Sequence, residues 1–173
     1  MKQLFLFGEE KVHTVPSKKA HWKIFIDGAS RGNPGPSGIG VYVLKDSEPA
    51  TSYAFYLGKK TNNQAEYSAL LVALFFVLPE TKQDNHRHDK IEIISDSQLL
   101  VRQIQGVYKV HDIHLKKLHE KAVKLLDGYA YTIKHVLREE NKDADALANK
   151  GVEMRTPLPE KFTSWIASHD HKN

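Results

Sequence analysis

Hydrophobic residues fall along this chain first in short alternating runs, then in longer helical periods. WKIFIDG, residues 22–28, is apolar, β-branched and aromatic and closes on glycine, which predicts a strand. IGVYVLK (39–45) and SYAFYLG (52–58) read the same way, joined by the polar link DSEPA. The turn-rich ASRGNPGPSG (29–38) separates the first strand from the second. Three strands in succession with short connections predict an antiparallel meander.

The period then changes. In KKTNNQAEYSALLVALFFVLP, Thr61, Asn62 and Asn63 offer capping side chains and Pro79 stops a helix. The second half of that helix is apolar on nearly every face, so it is expected to be buried. After the polar loop 81–90, KIEIISD (90–96) predicts a fourth strand, and residues 97–105 a short helix ended by Gly106. Residues 111–128 carry an apolar stripe at helical spacing: Ile113, Leu115, Leu118, Ala122, Leu125 and Leu126. YAYTIKHV (129–136) predicts a fifth strand, with His135 inside it. NKDADALANKGV (141–152) predicts a last helix capped by Asn141. No element is predicted for 153–173.

A meander followed by alternating elements implies an α/β fold with a mixed sheet and helices on its faces. The domain spans 21–152, with an N-terminal extension at 1–20 and a tail at 153–173. With 173 residues, 40% hydrophobic and 27% charged, the chain fits one globular domain with a sizeable core. Its longest apolar run, 69–78, is too short to span a bilayer. The N-terminal apolar stretch is too short for a signal-peptide core and runs into two glutamates. A cytoplasmic protein without membrane partners is therefore expected, as a monomer. The absence of cysteine removes disulfides and thiolate metal sites. A net charge of +4 permits nucleic acid as a partner without requiring it.

The acids carry the chemistry. Asp27 ends the first strand, Glu66 lies in the first turn of the buried helix, Asp96 ends the fourth strand, and Asp145 lies in the first turn of the last helix. A lone acid in such a place is more often a cap or a solvated charge. Asp27 and Asp96 follow apolar strands, where an unpaired charge is costly. Carboxylates brought together repel each other unless cations join them. Hard oxygen donors without cysteine suit Mg²⁺ or Mn²⁺. Two such ions roughly 3.5–4 Å apart support phosphodiester hydrolysis. The histidines at 86, 88, 111, 114 and 119 offer a transition-metal alternative, but lack a matching carboxylate set and read as surface groups. GNPGPSG has neither GxGxxG nor GxxxxGK[ST] and no helix directly after it, which argues against a nucleotide pocket. Its glycines are expected to let the backbone approach a nucleic acid closely.

FIDGASRGNPGPSGIG, TNNQAEYSALLVAL, IISDSQLLVRQI and REENKDADALAN resemble, in order, the four sequence blocks of type 1 ribonuclease H. The resemblance covers 22–152. It implies a ribonuclease H-like fold: a five-stranded mixed sheet, antiparallel meander plus parallel strands, with helices on both faces. It implies a metal-dependent endonuclease that cleaves the RNA strand of RNA–DNA hybrids, leaves 5′-phosphate ends, and serves primer or R-loop removal. By resemblance Asp27, Glu66, Asp96 and Asp145 are the catalytic acids and hold two divalent cations, Mg²⁺ or Mn²⁺. The pattern A-D-x-L-A places the last acid at Asp145 rather than Asp143. Asn33, Asn62, Asn63 and Gln98 match positions that contact the minor groove, where amides both donate and accept. Lys59 and Thr61 match the region that holds a DNA phosphate.

Two features depart from the family pattern. The better-known members carry a histidine in the loop before the last acid, whereas VLREENKDAD has none. A subgroup has Arg-Glu there, which makes Arg138 and Glu139 candidates for part of that role. Many members also carry an extra basic helix, but only VYKV stands between Gly106 and the long helix. Lys109, Lys116 and Lys117 are the replacement cations on offer. These departures keep two alternatives open: a nuclease acting also on double-stranded RNA, and a non-catalytic hybrid-binding module.

Outside the domain, QLFLF (3–7) resembles the Gln-Leu-x-Leu-Phe peptide by which bacterial replication and repair proteins dock on the sliding clamp. Gln3, Leu4, Leu6 and Phe7 would be the contacts, and residues 8–20 the tether. The other reading is an edge strand or packing on the domain's own surface.

Overall fold

The computed structural model describes residues 19–81 and 89–169; QLFLF, residues 8–18 of its tether, the loop histidines 86 and 88, and the last four residues lie outside them. The elements are β1 (His21–Ser30), β2 (Gly35–Lys45), β3 (Glu48–Lys60), α1 (Asn62–Val77), β4 (Lys90–Ser95), α2 (Gln98–Ile104), α3 (Ile113–Leu126), β5 (Tyr131–His135), α4 (Lys142–Met154) and α5 (Glu160–Ser168). The strands form one sheet in the order β3-β2-β1-β4-β5. β1, β2 and β3 are antiparallel neighbours, and β4 and β5 add in parallel to β1. This is the expected ribonuclease H-like α/β architecture.

The pleat explains the layers. Ile24 and Ile26 of β1 pair across to Val43 and Val41 of β2, so all four point to one face. With Ile91 and Ile93 of β4 they pack on α1, whose Leu70, Leu71 and Leu74 are fully buried. Each of these side chains contributes about 1.5–3 kcal/mol by leaving water. The opposite face presents Gly38 and Gly40 of β2, and α4 lies on them. A Cβ on Gly40 would fall 2.0 Å from the Ala144 carbonyl oxygen, so only glycine admits the helix this close.

Several local expectations change. The first loop contracts to residues 31–34, because β1 and β2 extend to Ser30 and from Gly35. Gly35 and Gly38 approach the backbones of Arg31 and α4 closely. The link between β2 and β3 shrinks to Asp46 and Ser47, both at positive φ (52° and 72°), the backbone a tight two-residue hairpin requires. α3 begins at Ile113 behind an Asp112 cap, whose Oδ1 accepts from His114 N–H at 2.8 Å and Leu115 N–H at 2.9 Å. Ile113 is 64% exposed and leaves the apolar stripe, since it sits in the first turn beyond the core.

The segment 153–173, for which the pattern predicts no element, contains α5. Phe162 is buried and its ring lies 5.4 Å from that of Phe75, with Trp165 at 5.3 Å from Phe75. Before it, the Tyr56 amide donates to the Thr156 carbonyl at 2.7 Å, which partners part of the outer edge of β3.

Candidate active site

Register places the first two acids. Ile26 of β1 stands opposite Ser95 of β4, and the strands are parallel. Asp27 and Asp96 therefore leave adjacent strands at the same level. Glu66 joins them from the first turn of α1, which meets β1 at Gly28: a Cβ there would fall 2.2 Å from the Glu66 nitrogen. A carboxylate oxygen from each of Asp27, Glu66 and Asp96 lies within 4.8 Å of the other two. No other group of acids and histidines among the described residues comes as close together.

The electrostatics of this trio are unfavourable without a cation. Asp27 and Glu66 are only 6% and 5% exposed. Burial, and then the charges of Asp96 and Asp145, push the Asp27 carboxyl up to about 7; Arg138 and the Gly28 amide oppose the shift. Burial, and then Asp27 and Asp96, push Glu66 well above the usual carboxylate range. Glu66 Oε2 is buried with no hydrogen-bond partner. An orphaned carboxylate oxygen beside two further carboxylates is a donor set that fits a hard divalent cation.

Asp145 stands apart from the trio. The seat of α4 on Gly38 and Gly40 brings it near enough to raise Asp27, but its Oδ1 accepts from Arg138 Nη2 at 2.5 Å. Asn149 Nδ2 donates to Asp145 Oδ2 at 3.3 Å. Arg138 and Glu139 occupy a single 3-10 turn, 138–140, and both are exposed.

Among the other sequence candidates, Thr61 is the α1 cap: its side chain accepts from Gln64 N–H at 3.2 Å, and Gln64 Oε1 accepts from Thr61 N–H at 3.0 Å. Asn62 and Asn63 are therefore not needed as caps and are exposed, as are Asn33, Lys59 and Gln98. Asn33 Oδ1 accepts from the Asn62 amide at 3.0 Å, which ties the β1–β2 turn to the start of α1. His111 and His114 are exposed, while His119 packs edge-on to Tyr67 with centroids 6.3 Å apart. Lys109, Lys116 and Lys117 are exposed around the loop between α2 and α3, which holds no further helix.

Two residues at the site escape the sequence reading. The His135 ring nitrogen Nε2 lies 3.2 Å from the Asp96 carbonyl oxygen. Asn141, expected to cap α4, makes no side-chain cap; it is fully buried and turns inward to the Ile26 carbonyl and the Asp96 carboxylate. A capping residue type at a helix start gives no sign in sequence that its amide points the other way.

Comparison with known proteins agrees with this geometry. Residues 25–151 match the protein family described as "Reverse transcriptase-like". The ribonuclease HI of Halobacterium salinarum is 39% identical over 140 residues, covering 80% of this chain and 67% of that protein. A bifunctional protein of Mycobacterium tuberculosis is 34% identical over 135 residues, and the match spans 35% of its length. The crystal structure of RNase H1 from Halobacterium salinarum superposes with a TM-score of 0.70 at 37% identity, covering 78% of this chain and 98% of that one. LC11-RNase H1, solved in complex with an RNA/DNA hybrid, gives 0.71 at 35% identity over 77% of this chain and 97% of that one. With the sheet order, the acid trio and these relatives in agreement, the chain belongs to the type 1 ribonuclease H family of metal-dependent endonucleases.

Proposed function

We propose that the protein hydrolyses the RNA strand of RNA–DNA hybrids, with Asp27, Glu66, Asp96 and Asp145 as its catalytic acids. The observation that carries this reading is the trio of carboxylates within 4.8 Å, with Glu66 Oε2 buried and unpartnered. Asp27, Glu66 and Asp96 would hold a divalent cation, with Asp145 contributing to a second; Mg²⁺ and Mn²⁺ suit the donors. Bound there, such ions supply Lewis acidity for activating water and neutralising charge on the scissile phosphate. The chain's own part is to keep the acids ionised and in register. The Gly28 amide and Arg138 favour the ionised forms against burial and mutual repulsion.

The exposed amides of Asn33, Asn62, Asn63 and Gln98 surround the acids in sequence and present donors and acceptors suited to a minor groove and its 2′-hydroxyls. Lys59 and Thr61 at the β3–α1 junction suit a DNA phosphate. The chain reads as a member of the subgroup without the extra basic helix and the loop histidine. Arg138, hydrogen-bonded to Asp145, and Glu139 beside it would take over part of that histidine's role. Removal of primers or R-loops is the cellular role this chemistry fits, and residues 3–7 would deliver the domain to a sliding clamp.

The test is incubation of the protein with labelled RNA–DNA hybrid, RNA duplex and DNA duplex, each with Mg²⁺, Mn²⁺ or chelator, beside Asp96→Asn. Metal-dependent cutting of the RNA in the hybrid, absent in the variant, is expected. Cutting of the RNA duplex as well would widen the substrate class. Hybrid binding without cutting would replace the reading with a binding module. For the clamp, Leu6→Ala with Phe7→Ala is expected to abolish pull-down of a bacterial sliding clamp; an unchanged pull-down removes that role.

A further inference from the structure

Asn141 bridges β1 at Ile26, the Asp96 carboxylate and the first turn of α4. Its side chain is fully buried at the junction of β1, β4 and α4. Nδ2 donates to the Ile26 carbonyl at 3.0 Å and to Asp96 Oδ1 at 2.8 Å. Its own carbonyl accepts from the Asp145 amide at 3.0 Å. The side-chain amide thus ties the peptide before Asp27 to the carboxylate of Asp96, while the carbonyl makes the first backbone bond of α4. The amide orientation is set by its partners, because a flipped side chain would aim Oδ1 at two acceptors. The orientation leaves Oδ1 buried with no hydrogen-bond partner. A helix cap would not need this arrangement, and Asn141 provides no side-chain cap.

We infer that Asn141 is a positioning residue for the metal-binding acids: its amide locks the Asp96 carboxylate in the rotamer that faces Asp27 and Glu66. This rests on the proposed ribonuclease function and names a residue that acts through Asp96, without touching substrate. Groups that orient ligating carboxylates typically carry 10–100-fold in metal affinity or activity. Asn141→Leu keeps the branched shape and removes the donor, and Asn141→Ala removes both.

The experiment measures Mn²⁺ affinity by calorimetry on the full chain without substrate, alongside kcat and KM on a hybrid. Both variants are expected to lose about 10–100-fold in Mn²⁺ affinity and in kcat, with KM for the hybrid within about threefold. Val77→Ala, a core truncation eleven residues along α1 from Glu66, provides the control of comparable melting loss and is expected to keep wild-type affinity. Should Asn141→Ala not fold, Asn141→Ser keeps a donor too short to reach both acceptors and carries the same expected joint loss. Wild-type Mn²⁺ affinity in the Asn141 variants, or an equal loss in Val77→Ala, overturns the inference. A wild-type protein that binds Mn²⁺ but does not cut the hybrid overturns the function while leaving the positioning role standing on affinity alone.

Discussion

Gly28 lies against Glu66 so closely that a Cβ added at Gly28 would meet the Glu66 nitrogen at 2.2 Å and the Ala65 carbonyl carbon at 2.3 Å. The neighbours are backbone, so no side chain can swing aside to make room. Gly28→Ala must push the first turn of α1 away from β1, and Glu66 moves with it. Over-packing of this kind costs about 1–3 kcal/mol. The expected result is a lower denaturation midpoint together with at least a tenfold loss of turnover. Gly58→Ala separates the two effects. Gly58 has φ +73° with open space around it, so its substitution strains the backbone alone. It is expected to lose stability and keep turnover.

The burial of Asp27, with the repulsion of Asp96 and Asp145 added to it, predicts an inverted stability response. Asp27 titrates near 7 in the folded protein against 3.8 for an ordinary aspartate. Below about pH 4 both states hold the proton and nothing is lost. Between the two values the folded state retains a proton that the unfolded state has released, so stability falls as pH rises. Above about 7 the whole cost is present, on the order of 2–4 kcal/mol. Asp27→Asn removes it. In chelator at pH 8 the variant is expected to melt above the wild type, with the gap closing towards pH 4. Saturating Mg²⁺ should reverse the order, because it stabilises only the chain that binds it. Melting curves across pH, with and without metal, decide the matter; a variant less stable than wild type at pH 8 in chelator would refute it.

The parts legible in the sequence are those written in local chemistry. The sheet was readable because β-branched and aromatic residues come in short runs, and Asp27 and Asp96 were readable as acids that close such runs. The parts hidden in it are settled by packing between distant segments. Nothing near Gly40 announces that α4 will rest on it, and nothing near Phe162 announces the ring of Phe75 that buries it. Asn141 shows the limit most clearly. Its residue type and position fit a cap, yet two acceptors from β1 and the end of β4 compete for the same amide and win. The pairing of Arg138 with Asp145 was likewise invisible, since the seven-residue separation spans a 3-10 turn and the start of a helix.

That pairing gives a prediction of its own. Arg138 is largely exposed, so its ion pair contributes little to folding. Arg138→Ala is expected to change stability by less than about 1 kcal/mol. If Arg138 acts on the reaction through Asp145, turnover should nevertheless fall about tenfold, with KM nearly unchanged. Glu139→Gln should have a smaller effect, because Glu139 stands beside the pair without joining it. Full turnover in both variants would assign the loop no part in the chemistry.

The salt dependence of hybrid binding tests whether the exposed lysines of the α2–α3 region contact phosphate. Each phosphate neutralised by a lysine contributes about 0.7–0.9 to the slope of log affinity against log salt. Lys109, Lys116 and Lys117 are exposed at the α2–α3 loop and the start of α3. The measurement uses Asp96→Asn, so that the hybrid is bound without being cut, and follows its Kd from low to high salt. Replacing Lys116 and Lys117 together by alanine is expected to weaken binding at low salt and to lower the slope by one to two contacts. The weakening should be uniform across hybrid sequences, as befits contacts to phosphate rather than to bases. An unchanged slope would mean that Lys116 and Lys117 form only a solvated face.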